Sequence, residues 1–208
     1  MRLLSVAVLL VVGLVPSSAL AAAWSGDDAG RAAARDALAR FEAGLNATDS
    51  ASEALRRWCA DHRLAEPPVI RADRVHDVDK PADAAVRAAL GANAIEPVRY
   101  RRVRLRCGDK VLSEADNWYL PGRLTAEMNA TLDGGDRPFG VVVAPLGFHR
   151  RTLGVDWLFD PFAVRVVDGR IVAPPAVLRH RAVLTTADGA PFSLVVETYA
   201  DAVLEAAP

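Results

Sequence analysis

The residues best suited to chemistry are an arginine in a strand-like segment and a glutamate near the C-terminus. Arg102 stands in a run of basic residues, which comprises Arg99, Arg101, Arg102, Arg104 and Arg106. A guanidinium can hold a carboxylate through two parallel hydrogen bonds. Glu197 lies in the apolar segment LVVETY, where a carboxylate is costly to bury unless it is paired or protonated. The alternatives are a solvated basic face and an outward-facing glutamate.

Other polar clusters are weaker candidates. Arg179 and Arg181 alternate with apolar residues and share one face, so they could bind a second carboxylate or form an exposed edge. The segment 149–151 (HRR) is typical of a polar surface turn. The sequence contains no Ser-His-Asp set, phosphate loop or zinc motif, and its His and Cys residues lack ligand spacing, so no metal site is expected.

A β-hairpin is predicted to position Arg102. Its first strand alternates between two faces: Val103, Leu105 and Cys107 on one, and Tyr100, Arg102, Arg104 and Arg106 on the other. Gly108-Asp109 predicts a turn, and Val111–Leu120 predicts the returning strand. A helix with Thr125 as N-cap follows. A second hairpin, from Leu178 to Tyr199, would carry Glu197.

The remaining elements are helical first and then extended. Two helices lead the chain, and the second begins with a capping box over residues 50–53. A strand is predicted over Val69–Val75, a third helix from Pro81 to Gly91, and a short hairpin over Val164–Val172. Together these elements predict one α+β domain with N-terminal helices and a largely antiparallel sheet.

The two hairpins, the intervening helix and the step Pro138-Phe139-Gly140 resemble the chorismate pyruvate-lyase family and the related ligand-sensing domains of bacterial transcription regulators. The resemblance implies a chorismate lyase-like fold. It also implies that Arg102 binds a substrate carboxylate, and that Glu197 binds a ligand hydroxyl or transfers a proton. An Arg102–Glu197 pair spanning a closed, mostly apolar cavity is therefore expected, with both residues catalytic if the protein is an enzyme.

The resemblance extends to three further contacts. Phe139 occupies a position that is usually leucine and contacts the ligand through its backbone, next to Gly140. Ala51 falls near another contact that is normally a larger apolar residue. Arg181 is the candidate for a second carboxylate partner. These residues form the predicted substrate-binding set with Arg102 and Glu197.

Two functions follow from this resemblance. The first is elimination of pyruvate from chorismate or a related enolpyruvyl compound to give a hydroxybenzoate, which needs no cofactor because the substrate carries its own leaving group. The second is non-catalytic binding of a small aromatic carboxylate on the same fold. A structural protein with a vestigial pocket is a third alternative.

The first 21 residues predict export. Leu3–Val15 is an apolar run after a basic start, and small residues at 19–23 are typical of a signal-peptidase site. We expect a domain over residues 22–208 in the periplasm or outside the cell, with no stable membrane insertion after cleavage. The net charge of −1 and the 25% of charged residues give no indication of a nucleic-acid partner. The oligomeric state cannot be read from the sequence.

Cys59 and Cys107 are the two cysteines of the chain. In an oxidising compartment an even number of cysteines permits one disulfide. The alternative is a pair of buried thiols.

Overall fold

The computed structural model describes residues 22–204. The predicted signal peptide, residues 1–21, lies outside this range, as do residues 205–208. The main element is a six-stranded antiparallel sheet in the order β2-β3-β4-β8-β7-β5. Its strands are β2 (Ile70–Val75), β3 (Arg99–Cys107), β4 (Lys110–Tyr119), β5 (His149–Trp157), β7 (Ala176–Thr185) and β8 (Pro191–Ala200). β1 (Ala23–Ser25) and β6 (Arg170–Val172) pair separately.

Five helices accompany the strands within the described range. They are α1 (Asp28–Asn46), α2 (Ala51–Asp61), α3 (Ala84–Leu90), α4 (Ala126–Gly134) and α5 (Phe139–Val143). Side chains cap four of them: Asp27, Ser50, Asp83 and Thr125 each accept a hydrogen bond from a first-turn backbone N–H. Valines in α5 and Pro145 just beyond it limit that helix to little more than one turn.

The two faces of the sheet are covered unequally. On the inner face, the apolar stripes of α1 and α2, including Leu38, Phe41 and Leu55, pack against Leu105 and Tyr199. The α4 and α5 helices cover the other end of that face. The outer face carries α3 at one end only, where Leu90 packs with Trp118, Leu120, Val183 and Leu194. The inner face is therefore the one on which an enclosed site can form.

A disulfide joins Cys59 in α2 to Cys107 at the end of β3. Both residues are fully buried. Of the two alternatives left open by the sequence, the structure shows the bridge. It fixes the C-terminal half of α2 to the sheet, and the N-terminal end of the same helix borders the site described below.

The predicted α+β architecture is confirmed, and two local predictions are corrected. α3 begins at Ala84 rather than at Pro81, because the Asp83 side chain caps Val86 N–H. The predicted hairpin over 164–172 is reduced to one bridge between Val167 and Arg170. β6 pairs instead with β1, where Trp24 lies opposite the buried Ile171. Within residues 22–204, no helix is both long and apolar enough to cross a membrane.

Candidate ligand-binding site

A pocket lies between the inner face of the sheet and the N-terminal ends of α2 and α5. Its cavity volume is about 40 Å³. Apolar side chains form most of its wall: Ala51, Val103, Leu105, Ala115, Phe139, Phe148, Leu184 and Val195. The polar lining comprises Asp49, Ser50, Ser52, Asn117, Arg150 and Glu197. An apolar wall with a few converging polar groups is typical of a small-molecule site.

Strand alternation builds the floor of this pocket. Val103 lies opposite Ala115 across the β3–β4 pair, and Ala115 lies opposite Glu197 across the β4–β8 pair. Side chains directly opposite each other in an antiparallel sheet share a face. Glu197 is thus carried onto a mostly apolar floor by its register with Ala115.

The central polar feature is a buried ion pair between Arg150 and Glu197. Arg150 Nη2 donates to Glu197 Oε2 at 2.7 Å, and the two side chains are only 9% and 7% exposed. Tyr199 donates its hydroxyl to the same Oε2 at 3.2 Å. Although burial works against the charged form, the carboxylate of Glu197 raises the pKa of Arg150 above its ordinary value. The pair therefore keeps a charged guanidinium against the Glu197 carboxylate in an apolar setting.

Backbone geometry fixes the position of Arg150. Its N–H donates to Asp49 Oδ1 at 3.0 Å, just before α2 begins. Its side chain then spans from β5 toward β8, because β7 lies between these strands in the sheet. The contact between Asp49 and the start of β5 joins the roof of the pocket to its floor.

His180 lies behind the ion pair. It is 1% exposed and directly opposite Glu197 in the β7–β8 register. Burial and the positive charge of Arg150 lower its pKa, so the imidazole is neutral at pH 7. Its Nε2 has no hydrogen-bond partner among the described residues, and Glu42 Oε1 is 3.8 Å away.

The roof is made by two helix ends in close contact. Ser50 caps α2 by accepting the Glu53 N–H at 3.3 Å. A Cβ added at Gly140 would lie 2.8 Å from Ser50 Oγ and 3.2 Å from Ser52 Oγ. Glycine therefore allows α5 to approach α2, and any larger residue would force the two ends of the roof apart.

Phe139 closes the pocket on the side of α5. Its ring packs against Tyr119 at 5.4 Å between centroids and against Phe192 at 6.3 Å. These contacts fix the ring in the apolar cluster next to the sheet. The aromatic side chain thus narrows one end of the cavity.

Arg101 is a buried cation that has no counter-ion in the described part of the chain. It is 2% exposed, and its Nη2 donates to the Arg137 carbonyl at 3.2 Å. Its Nε has no hydrogen-bond partner among the described residues. No carboxylate lies within ion-pair distance of it among residues 22–204. Burial and the charge of Arg74 lower its pKa to about 10, so the guanidinium stays charged at neutral pH. It lies opposite Asn117 and on the same inner face as Val103. Asn117 and Val103 line the pocket, and Arg101 lies next to it.

The structure brings four of the predicted site residues together and leaves two outside. Ala51, Phe139, Gly140 and Glu197 all line the pocket. Arg181 is exposed on the outer face, opposite Val196.

The expected Arg102–Glu197 pair is not formed. Arg102 Nη2 binds Glu114 Oε2 at 2.6 Å, and its Nη1 lies 3.8 Å from Asp116. The reason is strand alternation, since Val103 faces the pocket and its neighbour must face away. Glu197 is paired with Arg150 instead.

Arg101 and Arg150 are the two charged residues that sequence reasoning misses. Arg101 shares the period-two face of Val103 and Leu105, so the alternation contains the necessary signal. Arg150 sits in the segment HRR, whose composition is typical of a surface turn. The structure places that segment at the start of β5, with Arg150 facing inward.

Arg102→Ala is expected to have a small effect, because its ion pair with Glu114 lies on a partly exposed face. Such pairs contribute about 1 kcal/mol at most. Urea denaturation should therefore show a slightly lower free energy of unfolding. A loss of several kcal/mol, or a loss of ligand binding with the fold intact, would contradict the placement of Arg102 outside the site.

Within residues 22–204, no group of three or more His, Cys, Asp or Glu side chains is placed to hold a metal ion. The polar groups that line the pocket can form hydrogen bonds and ion pairs.

Solved structures with a similar fold include PhnF from Mycobacterium smegmatis, with 17% identity, a TM-score of 0.50, and 74% of this chain and 64% of that chain covered. Another is the "possible transcriptional regulator" YydK from Bacillus subtilis subsp. subtilis str. 168, with 15% identity, a TM-score of 0.41, and coverage of 62% and 58%. The chain thus spans less than two thirds of either protein. At this identity the likeness to PhnF shows the fold alone, which is the expected chorismate lyase-like α+β fold.

Sequence comparison gives a nearer relative. No protein-family model matches the chain. The uncharacterized protein y4mC of Sinorhizobium fredii (strain NBRC 101917 / NGR234) is 44% identical over 192 residues, which covers 88% of this chain and 81% of that protein. Identity of this extent shows common descent over nearly the whole chain. The protein therefore belongs to the same family as y4mC.

Proposed function

We propose that this protein is a non-catalytic binder of a small, mostly apolar ligand that carries one carboxylate and one hydroxyl group. The observation that carries the proposal is the pair of buried polar features along one apolar pocket. The Arg150–Glu197 pair lines the pocket. Arg101, which has no counter-ion among the described residues, lies next to the pocket, opposite the lining residue Asn117.

The buried charges of the site favour a ligand with a single negative charge. Asp49 also lines the pocket, but its side chain is 50% exposed and is solvated. Arg150 and Glu197 neutralise each other at 2.7 Å. Arg101 is left with an unpaired Nε and with the positive charge of Arg74 nearby. A buried cation without a partner is costly, so an anionic group of a ligand beside Arg101 would supply the missing charge.

The part of the pocket beside Glu197 is suited to a hydroxyl group. Both hydrogen bonds to the Glu197 side chain, from Arg150 and from Tyr199, go to Oε2. Its Oε1 accepts no hydrogen bond from the described residues. A ligand hydroxyl can donate to this oxygen, while Val103, Ala115 and Val195 contact an apolar ring or chain.

The fold supports a binding role, and the N-terminal segment and the disulfide support a location outside the cytoplasm. The same fold occurs in ligand-sensing regulator domains, so it hosts binding without catalysis. We propose that residues 1–21 act as a signal peptide, and a buried disulfide is typical of proteins in oxidising compartments.

The test uses 4-hydroxybenzoate as the probe. Its binding to a purified protein comprising residues 22–208 is measured by the thermal shift of that protein. We expect this probe to raise the melting temperature in a saturable way, as mass action requires. Benzoate lacks the hydroxyl and 4-hydroxybenzyl alcohol lacks the carboxylate, so both should stabilise less. Arg101→Met should abolish the shift caused by 4-hydroxybenzoate.

Arg104→Met is the matched control, because Arg104 lies on the same strand but on the exposed outer face. It should keep the shift. If Arg101→Met binds the probe as tightly as Arg104→Met does, Arg101 is not the anion partner. If no small aromatic carboxylate stabilises the wild type, the proposed ligand class is wrong.

Elimination of pyruvate from chorismate is the second candidate, since the predicted acid, Glu197, does line the pocket. The arginine expected to hold the substrate does not, because Arg102 faces away. Chromatography of chorismate incubated with the protein decides between the two. If 4-hydroxybenzoate and pyruvate form only with the wild-type protein and not with Glu197→Gln, the protein is a lyase. If these products form no faster than chorismate decays without protein, the binding function is retained.

A further inference from the structure

The two edge strands of the six-stranded sheet, β2 and β5, differ in how far their free backbone groups are covered. The free side of β2 is blocked, because Ala72 N–H donates to the Asp136 carbonyl at 2.7 Å and Arg71 pairs with the Asp136 side chain at 2.8 Å. On β5, Asp49 caps only the first residues through Arg150 N–H. From Thr152 to Asp156, no backbone group among residues 22–204 bonds to the free side.

The orientation of the free N–H groups follows from the Asp49 contact. The Arg150 N–H points away from β7, since Asp49 accepts it. Backbone N–H groups of an antiparallel strand alternate between its two sides. Thr152, two residues further on, therefore presents its N–H to the same open side, where a further strand could accept it.

Apolar side chains stand along this open edge. Leu153 and Val155 are 38% exposed and Trp157 is 39% exposed. β5 contains neither lysine nor proline, which are residues that protect sheet edges from pairing. β5 does carry charged residues and a bulge between Thr152 and Gly154, which can also protect an edge. Pairing therefore requires a second strand whose charges match those of β5.

The charges of β5 are self-complementary about a two-fold axis. Arg151 lies opposite Val183 and Asp156 lies opposite Arg179, so both face the outer side of the sheet. Residues five apart would ordinarily face opposite sides, but the register shift between Thr152 and Gly154 brings them to the same one. If two β5 strands run antiparallel with Leu153 facing Gly154, Arg151 of each copy meets Asp156 of the other.

We propose that two copies of this chain pair through their β5 strands, antiparallel and about a two-fold axis, and so join their sheets edge to edge. The second copy supplies acceptors for the free N–H groups, covers Leu153 and Val155, and forms two Arg151–Asp156 pairs. Opposite charges directly across a strand pair favour such a register.

Charge reversal tests this register. We expect the wild type to sediment as a dimer. Arg151→Asp and Asp156→Arg should each sediment as monomers, because each substitution places like charges opposite one another at both ends of the paired strands. A mixture of the two variants should form a heterodimer. In that heterodimer the two substituted side chains carry opposite charges and face each other, and the unchanged Asp156 of one chain faces the unchanged Arg151 of the other. Differently tagged chains allow the heterodimer to be isolated.

Two further variants keep the test decisive. Arg71→Asp, on the blocked edge, should leave the wild-type dimer unchanged. Thr152→Pro removes only an outward N–H and should weaken the dimer while melting temperature shows that the monomer is folded. The proposal is overturned if the wild type stays monomeric at its highest soluble concentration. It is also overturned if folded Arg151→Asp or Asp156→Arg remains dimeric, or if the two variants fail to associate when mixed.

Discussion

Arg150→Met is expected to lower the free energy of unfolding by about 3–5 kcal/mol, because it leaves Glu197 as a buried charge without its partner. The wild-type pair is 2.7 Å long and its side chains are less than a tenth exposed, so solvent cannot compensate for the loss. Urea denaturation at neutral pH, followed by tryptophan fluorescence, measures the effect.

Two control variants separate charge from packing. Arg150→Met combined with Glu197→Leu removes both charges and should recover most of the loss, as replacement of a whole buried pair by apolar residues often does. Arg56→Met breaks an ion pair with Glu53 whose arginine is 49% exposed, and should change stability little. If Arg150→Met were as mild as Arg56→Met, the pair would not be buried in solution.

Reduction of the Cys59–Cys107 disulfide is expected to lower the free energy of unfolding by about 4 kcal/mol. The bridge closes a loop with a sequence separation of 48 residues, and loop-closure entropy for that length gives this value. Equilibrium urea unfolding of the wild type with and without dithiothreitol measures it without changing any side chain.

The double variant Cys59→Ala/Cys107→Ala serves as the control for the reductant. It should unfold at a lower urea concentration than the oxidised wild type and should not respond to dithiothreitol. Equal stability of the oxidised and reduced wild-type protein would show that the bridge does not stabilise the fold. Because α2 borders the pocket, the reduced protein should also bind 4-hydroxybenzoate less tightly.

The local alternation of apolar and polar residues predicts the sheet correctly. The residue-by-residue alignment with the resembling family places Arg102 on the wrong face. The alternation of Val103, Leu105 and Cys107 already assigns Arg102 to the opposite face. Alignment by residue count from Pro121 nevertheless places Arg102 in the pocket. A bulge lies between Leu105 and Arg106 in the β3–β4 pair. One extra residue in a strand changes which side chains face inward. The number of residues from Pro121 therefore does not show which face a side chain is on, whereas the alternation of apolar and polar residues does.

The Arg150–Glu197 pair could not be predicted from sequence because it depends on long-range register. Arg150 is on an edge strand, Glu197 is on a central strand, and β7 separates them. Nothing near Arg150 in the sequence distinguishes it from its neighbour Arg151, which is exposed. Only the strand order of the whole sheet shows which of these arginines reaches the carboxylate.

That strand order also governs how the chain can be made. β8 is the last strand in sequence, yet it lies between β4 and β7 and pairs with both. A nascent chain that emerges from its N-terminus therefore leaves β4 without its second neighbour until β8 has been made. Truncation before Pro191 would leave two separate sheet fragments instead of a smaller stable protein. The sheet can close only once β8 is available, so the joining of its two halves is a late event in folding.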